Sequence, residues 1–192
     1  MNWLAHVFLS EPTVEFQLGN LLADIVRRRQ REGLPDAFVR GALRHHSIDV
    51  FTDAHPIVKR SRARLSPAYR RFSGVIVDVF YDYLLATQWN RYLSVALDDF
   101  TARFYAEAAA TDIVLPDDAR FTLVRIIEHD LLGQYRNVDG VRNSLRRLSM
   151  QLNARWGREF QLDGSVRELI EHEQALAEDF AEFFPQLQRH VG

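Results

Sequence analysis

Apolar residues recur at a spacing of three to four along most of this chain, whereas alternation with a period of two is rare. The longer period places apolar side chains on one face of an α-helix. Glycines and prolines divide the periodic stretches into segments of helical length. The pattern therefore predicts an all-α fold, in which amphipathic helices pack as a bundle around one core.

Breaks in the pattern set the expected helix boundaries. Asp36 suits the N-cap of the third helix, because its side chain can accept a hydrogen bond from a free backbone N–H. The apolar stretch 75–89 contains β-branched valines that would also suit a buried strand, but its length favours a helix. The predicted helices cover residues 2–9, 14–29, 36–51, 55–65, 75–89, 97–110, 117–132, 138–156 and 165–187, and a further segment starts at Pro67.

Length and composition bound the class of protein. A chain of 192 residues predicts one domain over residues 1–192, large enough to fold without disulfides. It has no cysteine, which excludes thiolate metal sites and cysteine nucleophiles. We find no signal peptide and no apolar stretch near the ~20 residues of a membrane span. We therefore expect a cytoplasmic protein that has no membrane partner.

The net charge of −2 argues against a nucleic-acid partner, but the charges are unevenly spread. Residues 56–77 contain no acidic residue, whereas residues 168–182 are rich in glutamate. A charge run is commonly a solvated helix face; the alternative is a surface that docks an acidic partner. The candidate partner-binding residues are Arg27, Arg28 and Arg29, which we call the 27–29 run, and Arg60, Arg62 and Arg64, which we call the 60–64 run.

Two carboxylates interrupt the most apolar stretch of the chain. Asp78 and Asp82 are four residues apart, so a helix places them on one face, where like charges repel. If that face is buried, an unpaired carboxylate costs several kcal/mol of folding free energy, whereas a cation bound between the two carboxylates makes the arrangement favourable. The alternatives are an exposed polar edge or pairing with two arginines.

The same spacing recurs beside two adjacent histidines. His45 and Asp49 are four apart, and Asp53 follows one turn later. Such a pair can offer an imidazole nitrogen and a carboxylate oxygen to one ion, the mixed set that Mn²⁺, Fe²⁺ or Zn²⁺ accept. His46 points about 100° away around the helix, so we expect it at the surface or in a supporting role. The alternative is a histidine held by the aspartate of its own helix.

Asn20 and Asp24 repeat the spacing a third time, and His6 stands alone among apolar neighbours. A lone histidine in such a place is more often a core residue with satisfied hydrogen bonds. Four separate burials of polar groups would, however, need four separate compensations. One shared centre explains all four, so these residues together predict a divalent-metal site.

His129-Asp130 is the only adjacent His-Asp pair, and it looks like a metal-binding doublet. Glu128 and Arg125 beside it indicate an ordinary mixed helix face instead, so we expect it to lie outside the site. The sequence contains no Gly-rich phosphate loop, nucleophile elbow or zinc-finger spacing.

Four motifs follow one another along the first 90 residues. They are Met1-Asn-Trp-Leu-Ala-His6, Gly19-Asn-Leu-Leu-Ala-Asp24, His45-His-Ser-Ile-Asp49-Val-Phe-Thr-Asp53 and Val77-Asp-Val-Phe-Tyr-Asp82. In this combination the chain resembles the acyl carrier protein phosphodiesterases. The likeness runs the whole length, since Tyr135, Arg136 and Asp139 also fit the later part of the pattern.

The resemblance implies an all-helical fold related to the HD-type metal-dependent phosphohydrolases, in a rearranged form. It implies hydrolysis of the phosphodiester that joins 4′-phosphopantetheine to a serine of holo acyl carrier protein. Mn²⁺ is the metal it implies, with Fe²⁺ or Mg²⁺ as alternatives. Carried onto this chain, the metal and catalytic positions are His6, Asp24, His45, Asp49, Asp78 and Asp82, with Asn20 in support.

The chemistry of phosphodiester hydrolysis suggests separate roles for these residues as metal ligands, base and acid. A phosphodiester is an anion, so its site must neutralise charge and deliver an activated water, and one or two divalent ions can do both. Asp24 or Asp82 would act as base or orienting residue, and His6 or His46 could protonate the serine oxygen. The direct ligands assigned are His45, Asp49 and Asp78, completed by His6 or Asp24, with His46 and Asp53 in support.

Two other functions remain open on the same residues. An HD-like phosphohydrolase acting on a nucleotide or another small phosphodiester would share the metal site without needing a basic docking face. A helical binding protein for acyl carrier protein would pair the polar residues within its core and hold no metal. Acyl carrier proteins are strongly acidic, which would give both arginine runs a purpose.

Overall fold

The computed structural model describes residues 1–192, which form ten α-helices, five short 3₁₀ helices and no β-strand. The predicted all-α class is confirmed, and the stretch that would also have suited a strand is a helix. The helices are α1 Trp3–Phe8, α2 Val14–Leu21, α3 Asp36–Ala54, α4 Pro56–Ala63, α5 Ser73–Thr87, α6 Leu97–Ala109, α7 Asp117–Glu128, α8 Val138–Trp156, α9 Val166–Glu171 and α10 Glu173–Val191. The 3₁₀ helices are Arg28–Arg31, Arg70–Phe72, Trp89–Arg91, Gly133–Arg136 and Leu162–Ser165.

Helix α5 lies at the centre of the fold. Its residues 76–86 are buried apart from Asp78, which is partly exposed, and α1, α4, α8 and α10 pack around it. Buried hydrophobic side chains from all ten helices join in one cluster of 44 residues, so the molecule has a single core. No helix has the length and apolar character that crossing a bilayer would require.

Helices α2 and α3 cross with their backbones in contact. A Cβ atom on Gly19 would lie 2.0 Å from the carbonyl oxygen of Phe38, and one on Gly41 would lie 2.1 Å from that of Phe16. Any larger side chain would force the two helices apart, since such distances are far below van der Waals contact. The glycine pair therefore sets how closely the two helices approach.

Four predicted boundaries are wrong. The helix predicted over 117–132 ends at Glu128. The helix predicted over 14–29 ends at Leu21, and the chain continues through turns that bury Leu22 and Val26 before a 3₁₀ helix. The helix predicted over 165–187 is two helices, which meet at His172. Asp36 is the first residue of α3 rather than its cap, and Pro35 occupies the cap position with no side-chain hydrogen bond.

Candidate metal centre

Three predicted site residues from two helices meet inside the bundle. His6 is contributed by α1, and His45 and Asp49 by α3. The Nε2 atom of His6 lies 3.3 Å from Asp49 Oδ1, and that of His45 lies 3.1 Å from Asp49 Oδ2. One potential ligand atom from each residue falls within 4.8 Å of the others. We call these three residues the His₂Asp group.

Asn20 bonds to both imidazole rings at Nδ1, on the side away from Asp49. Its side-chain Oδ1 lies 2.8 Å from His6 Nδ1, and its backbone oxygen lies 2.7 Å from His45 Nδ1. An oxygen of this kind can only accept, so each Nδ1 carries the proton and donates it. The amide Nδ2 of Asn20 in turn donates to the backbone oxygen of His6 and to Ser10 Oγ.

The tautomer set by Asn20 leaves both Nε2 lone pairs pointing at carboxylate oxygens. The two rings stack with centroids 4.0 Å apart and planes at 17°. In the neutral form of each ring the Nε2 lone pair would face a carboxylate lone pair. A proton on Nε2 relieves this repulsion, as the raised pKa of His45 reflects, and a cation between the two atoms would relieve it as well. Two nitrogens and a carboxylate converging in this way can hold a divalent metal ion.

Asp24 approaches the same point from the solvent side. Its Oδ1 lies 3.3 Å from His45 Nε2, while 85% of its side chain is exposed. The early end of α2 at Leu21 makes this possible, because the turns that follow carry Asp24 across to α3. Asp24 thus stands at the mouth of the centre, in contact with both solvent and an imidazole.

Asp78 lies beside the His₂Asp group rather than within it. Its Oδ1 is 3.3 Å from the terminal nitrogen of Met1, which is also 3.7 Å from Asp49 Oδ1. The carboxylates of α3 and α5 therefore face each other across one positively charged nitrogen. Helices α3 and α5 bring Asp49 and Asp78 to a common edge of the centre.

Asp82 is fully buried, and the structure places it at the start of α1. Its carboxylate accepts hydrogen bonds from the backbone N–H groups of Leu4 at 2.7 Å and of Asn2 and Ala5 at 3.3 Å each. These are donors that a helix start leaves without intrahelical partners. Burial raises the pKa of Asp82 to about 7, against the opposing N-terminal charge and backbone hydrogen bonds. Asp82 thereby anchors the helix that carries His6.

The two remaining predicted support residues lie away from the His₂Asp group. His46 is exposed on the outer face of α3 and makes no hydrogen bond. Asp53 is 68% exposed and pairs with Arg62, its Oδ1 lying 2.5 Å from Nη2. Neither side chain contacts His6, His45 or Asp49.

The electrostatics of the centre favour carboxylates that stay ionised. Burial opposes ionisation of Asp49, but hydrogen bonds from His45 and His6 hold its pKa well below the usual range. The hydrogen bond from His45 lowers the pKa of Asp24. Burial lowers the pKa of His6. For His45 burial acts in the same direction, but the bonds and charges of Asp24 and Asp49 outweigh it and raise the pKa to about 9.

The predicted partner-binding arginines separate into two environments. Arg27, Arg28 and Arg29 are exposed and form no ion pair. In the 60–64 run, Arg60 and Arg64 both bond to Asp179, an α10 residue with only 2% exposure. The 27–29 run follows Asp24 by three to five residues along the chain.

His129-Asp130 forms part of a turn that the Asp130 side chain stabilises. Asp130 has a left-handed backbone conformation with φ of 46°. Its carboxylate accepts from Tyr105 Oη at 3.0 Å, from the Gly133 backbone at 3.1 Å and from Arg136 Nη1 at 2.9 Å. These bonds give the pair a structural task outside the His₂Asp group.

Sequence reasoning overlooked two contributors to the centre. Ser10 bonds to both Asn20 and the His6 backbone, which completes the support behind the imidazole. Gly19 and Gly41 allow the α2–α3 contact that brings the Asn20 carbonyl to His45. The only signal for the latter was a glycine immediately before Asn20 and another four residues before His45.

Fold and site together define an all-helical protein with a candidate divalent-metal centre. A family model described as acyl carrier protein phosphodiesterase matches residues 1–187. An acyl carrier protein phosphodiesterase of Yersinia pestis is 31% identical over 194 residues, covering 100% of this chain and 97% of its own. One from Enterobacter sp. (strain 638) is 30% identical, covering 97% and 95%. This chain belongs to the acyl carrier protein phosphodiesterase family. No solved structure matches it.

Proposed function

We propose that this protein is a divalent-metal-dependent phosphodiesterase, which removes 4′-phosphopantetheine from the serine of holo acyl carrier protein and yields the apo protein. The observation that carries the proposal is the His₂Asp group, in which two imidazole Nε2 atoms of fixed tautomer converge on Asp49. Family membership supports the substrate. Residues 1–192 would act as one domain, related to the HD-type phosphohydrolases in rearranged form.

The imidazole nitrogens and carboxylate oxygens of the centre favour a divalent ion of the first transition series. His6, His45 and Asp49 would be ligands, with Asp24 or Asp78 completing the set, because nitrogen and oxygen donors together suit Mn²⁺ or Fe²⁺. We propose Mn²⁺, with Fe²⁺ or Mg²⁺ as alternatives. When bound, such an ion neutralises charge on the phosphoryl group and lowers the pKa of a water molecule.

The protein's own side chains would orient the centre and move the proton. Asn20 holds both imidazoles in the tautomer that exposes Nε2. Asp24 is exposed, ionised and next to His45, so it is placed to take a proton from the attacking water. Asp82 would act indirectly, by fixing α1 and therefore the position of His6.

The 27–29 run would receive the acidic carrier protein. Its three guanidinium groups are exposed and free of ion pairs, and they follow Asp24 along the chain. A partner docked there would present its modified serine to the mouth of the centre. Complementary charge of this kind mainly accelerates and orients the encounter.

Mass spectrometry of holo acyl carrier protein tests the proposal directly. We expect loss of the phosphopantetheine arm with Mn²⁺ and none with a chelator. His45→Ala should lose at least ~100-fold in rate and lose bound metal, because removing a ligand disrupts the centre. His46→Ala is the matched control, since its exposed side chain makes no contact with the group, and it should retain both.

Three results would contradict the proposal. They are cleavage that persists in chelator, equal effects of His45→Ala and His46→Ala, and turnover of a nucleotide panel in preference to the carrier protein. Circular dichroism spectra should show that each variant keeps the helical content of the wild type, so that lost activity reports on the site.

A further inference from the structure

Arg62 lies one helical turn from the metal centre, between the two helices that supply its facing carboxylates. On α3, Asp53 follows Asp49 by four residues and bonds to Arg62. On α5, Gly74 precedes Asp78 by four residues, and a Cβ on Gly74 would be 3.2 Å from Arg62 Cζ. Four helical residues span about 6 Å. The guanidinium therefore sits about that far along both helices from the Asp49–Asp78 edge.

The guanidinium of Arg62 packs directly against the backbone of α5 at Gly74. Gly74 leaves the space that the guanidinium occupies, since a Cβ there would lie 3.2 Å from Cζ and 3.3 Å from Nη2 of Arg62. The side chain of Arg62 is only 20% exposed. Its neighbours Arg60 and Arg64 instead turn towards Asp179 on α10. Alternate arginines of α4 thus face opposite sides, and Arg62 is the one that lies between α3 and α5.

Arg62 has more hydrogen-bond donors than protein acceptors. A guanidinium has five N–H groups, and here only Nη2 bonds to a protein oxygen, that of Asp53. The buried Nε atom has no protein acceptor. Asp53 is itself 68% exposed, so this ion pair contributes little to stability. The donor surplus indicates a ligand with several oxygen atoms.

A bound phosphodiester adds negative charge to the centre. The N-terminal ammonium and the proposed divalent ion offset Asp24, Asp49 and Asp78, but the substrate brings a further anion that becomes more negative as it reacts. A fixed guanidinium at the edge offsets that charge and matches the geometry of two phosphoryl oxygens. A guanidinium binds phosphate bidentately, which a lysine ammonium cannot do.

We propose that Arg62 binds the phosphoryl oxygens of the substrate phosphodiester, with Asp53 holding it in position, and that it is not part of a carrier-protein docking surface. This role rests on the proposed phosphodiesterase function for its substrate. The ligand class, an oxyanion of phosphorus, rests on the unused donors of Arg62 and on its place about one helical turn along α3 and α5 from Asp49 and Asp78.

Inorganic phosphate provides a test that does not depend on turnover. Titrating it into the full-length protein by calorimetry, with and without Mn²⁺, should give a Kd that rises about tenfold to hundredfold in Arg62→Ala. The Kd of Arg62→Lys should lie between those of the wild type and Arg62→Ala, because lysine keeps the positive charge but lacks the bidentate geometry of the guanidinium. Lys59→Ala is the matched control, as it removes one positive charge from the exposed face of the same helix, and it should match the wild type.

Three further measurements separate phosphate binding from a structural role. Arg62→Ala should bind Mn²⁺ with the wild-type stoichiometry, and added guanidinium ion should restore part of its phosphate affinity. Asp53→Asn should weaken phosphate binding less than Arg62→Ala does. With holo acyl carrier protein, Arg62→Ala should lower kcat, whereas a docking residue would change mainly KM.

The outcomes distinguish this inference from the proposed function. If the wild type binds phosphate through Arg62 but does not cleave the carrier protein, the proposed substrate fails and the anion site stands. If Arg62→Ala binds phosphate as the wild type does, or if the Mn²⁺-loaded wild type binds none, the inference is overturned, whatever the activity.

Discussion

The 27–29 run and the 60–64 run look alike in the sequence and differ completely in the structure. Every guanidinium of the 60–64 run is bonded to a carboxylate, two of them to the buried Asp179 and one to Asp53. The three guanidinium groups of the 27–29 run are exposed and form no ion pair. One run is largely a set of countercharges within the fold, and the other is a free positive surface.

The difference teaches that the function of an arginine run is decided by residues far away in the chain. Asp179 is separated from Arg60 by 119 positions and from Arg64 by 115. No local pattern reveals such a partner. Asp179 also accepts from Ser61, so α4 and α10 are joined through one carboxylate. A free surface is recognised only by the absence of such partners.

Asp179→Ala should produce the largest effect. It removes the acceptor of Arg60, Arg64 and Ser61, and we expect the free energy of unfolding in urea to fall by about 2–4 kcal/mol. Glu182→Ala is the control, because Glu182 is 59% exposed and contacts only Arg60; it should cost less than about 1 kcal/mol. Equal and small losses would mean that the 60–64 run is as free as the 27–29 run.

The same carboxylate should give the wild type an acid-dependent component of stability. Burial raises the pKa of Asp179, but hydrogen bonds from Ser61, Arg60 and Arg64 outweigh it and hold the pKa below its ordinary value. Because its pKa is lower in the folded than in the unfolded protein, ionised Asp179 stabilises the fold at pH values above the unfolded pKa of about 4. That stabilisation is lost as the pH falls through the folded-state pKa. Thermal melts should therefore show the gap between wild type and Asp179→Ala narrowing below about pH 4.

Reversing the charge of the 27–29 run should come next in size. In Arg27→Glu/Arg28→Glu/Arg29→Glu we expect the KM for holo acyl carrier protein to rise about tenfold to hundredfold, with kcat changed far less. The effect should shrink as salt rises, because these charges are exposed. A wild-type KM at low salt would show that the run is a solvated face without a docking role.

Arg64→Ala should give the smallest effect, and it should change stability rather than the KM. It removes the hydrogen bonds that Arg64 donates to Asp179 through Nε and Nη2, while Arg60 and Ser61 still donate to that carboxylate. We therefore expect the free energy of unfolding to fall by about 1 kcal/mol and the Tm by about 2–4 °C. The KM for the carrier protein should stay at the wild-type value. A large rise in KM would return Arg64 to the docking surface and break the contrast between the two runs.

Most of the fold could be predicted from helical periodicity. Helix α8 has the predicted bounds, 138–156, because Asn137 caps it and a left-handed Gly157 ends it. The failures lie where tertiary contacts override a local pattern. The apolar spacing continues past Leu21, but the chain turns there and buries those side chains without helical geometry. At His172 no glycine or proline announces the break between α9 and α10.

Helical spacing predicts which candidate site residues share one helix face, without revealing their contacts with other helices. The spacing of His45 and Asp49 predicts that they share a face, which follows from the geometry of one helix. That His6 stacks on His45 depends on how α1 packs against α2, and no single-helix pattern contains this information. Asp82 shows the limit most clearly, since its i, i+4 relation to Asp78 is real while its carboxylate points to the start of α1.

The close approach of Gly19 to the Phe38 backbone and of Gly41 to the Phe16 backbone fixes the distance between α2 and α3 beside the centre. The Asn20 carbonyl that holds His45 moves only if α2 moves, and the meeting of backbone with backbone leaves no side-chain rotamer that could widen or narrow the gap. With a metal bound as proposed, His45 would be held in one orientation towards the ion, which would favour ions whose bond lengths suit that orientation. Under that proposal, a change of metal preference would require a different spacing of α2 and α3 as well as different ligands.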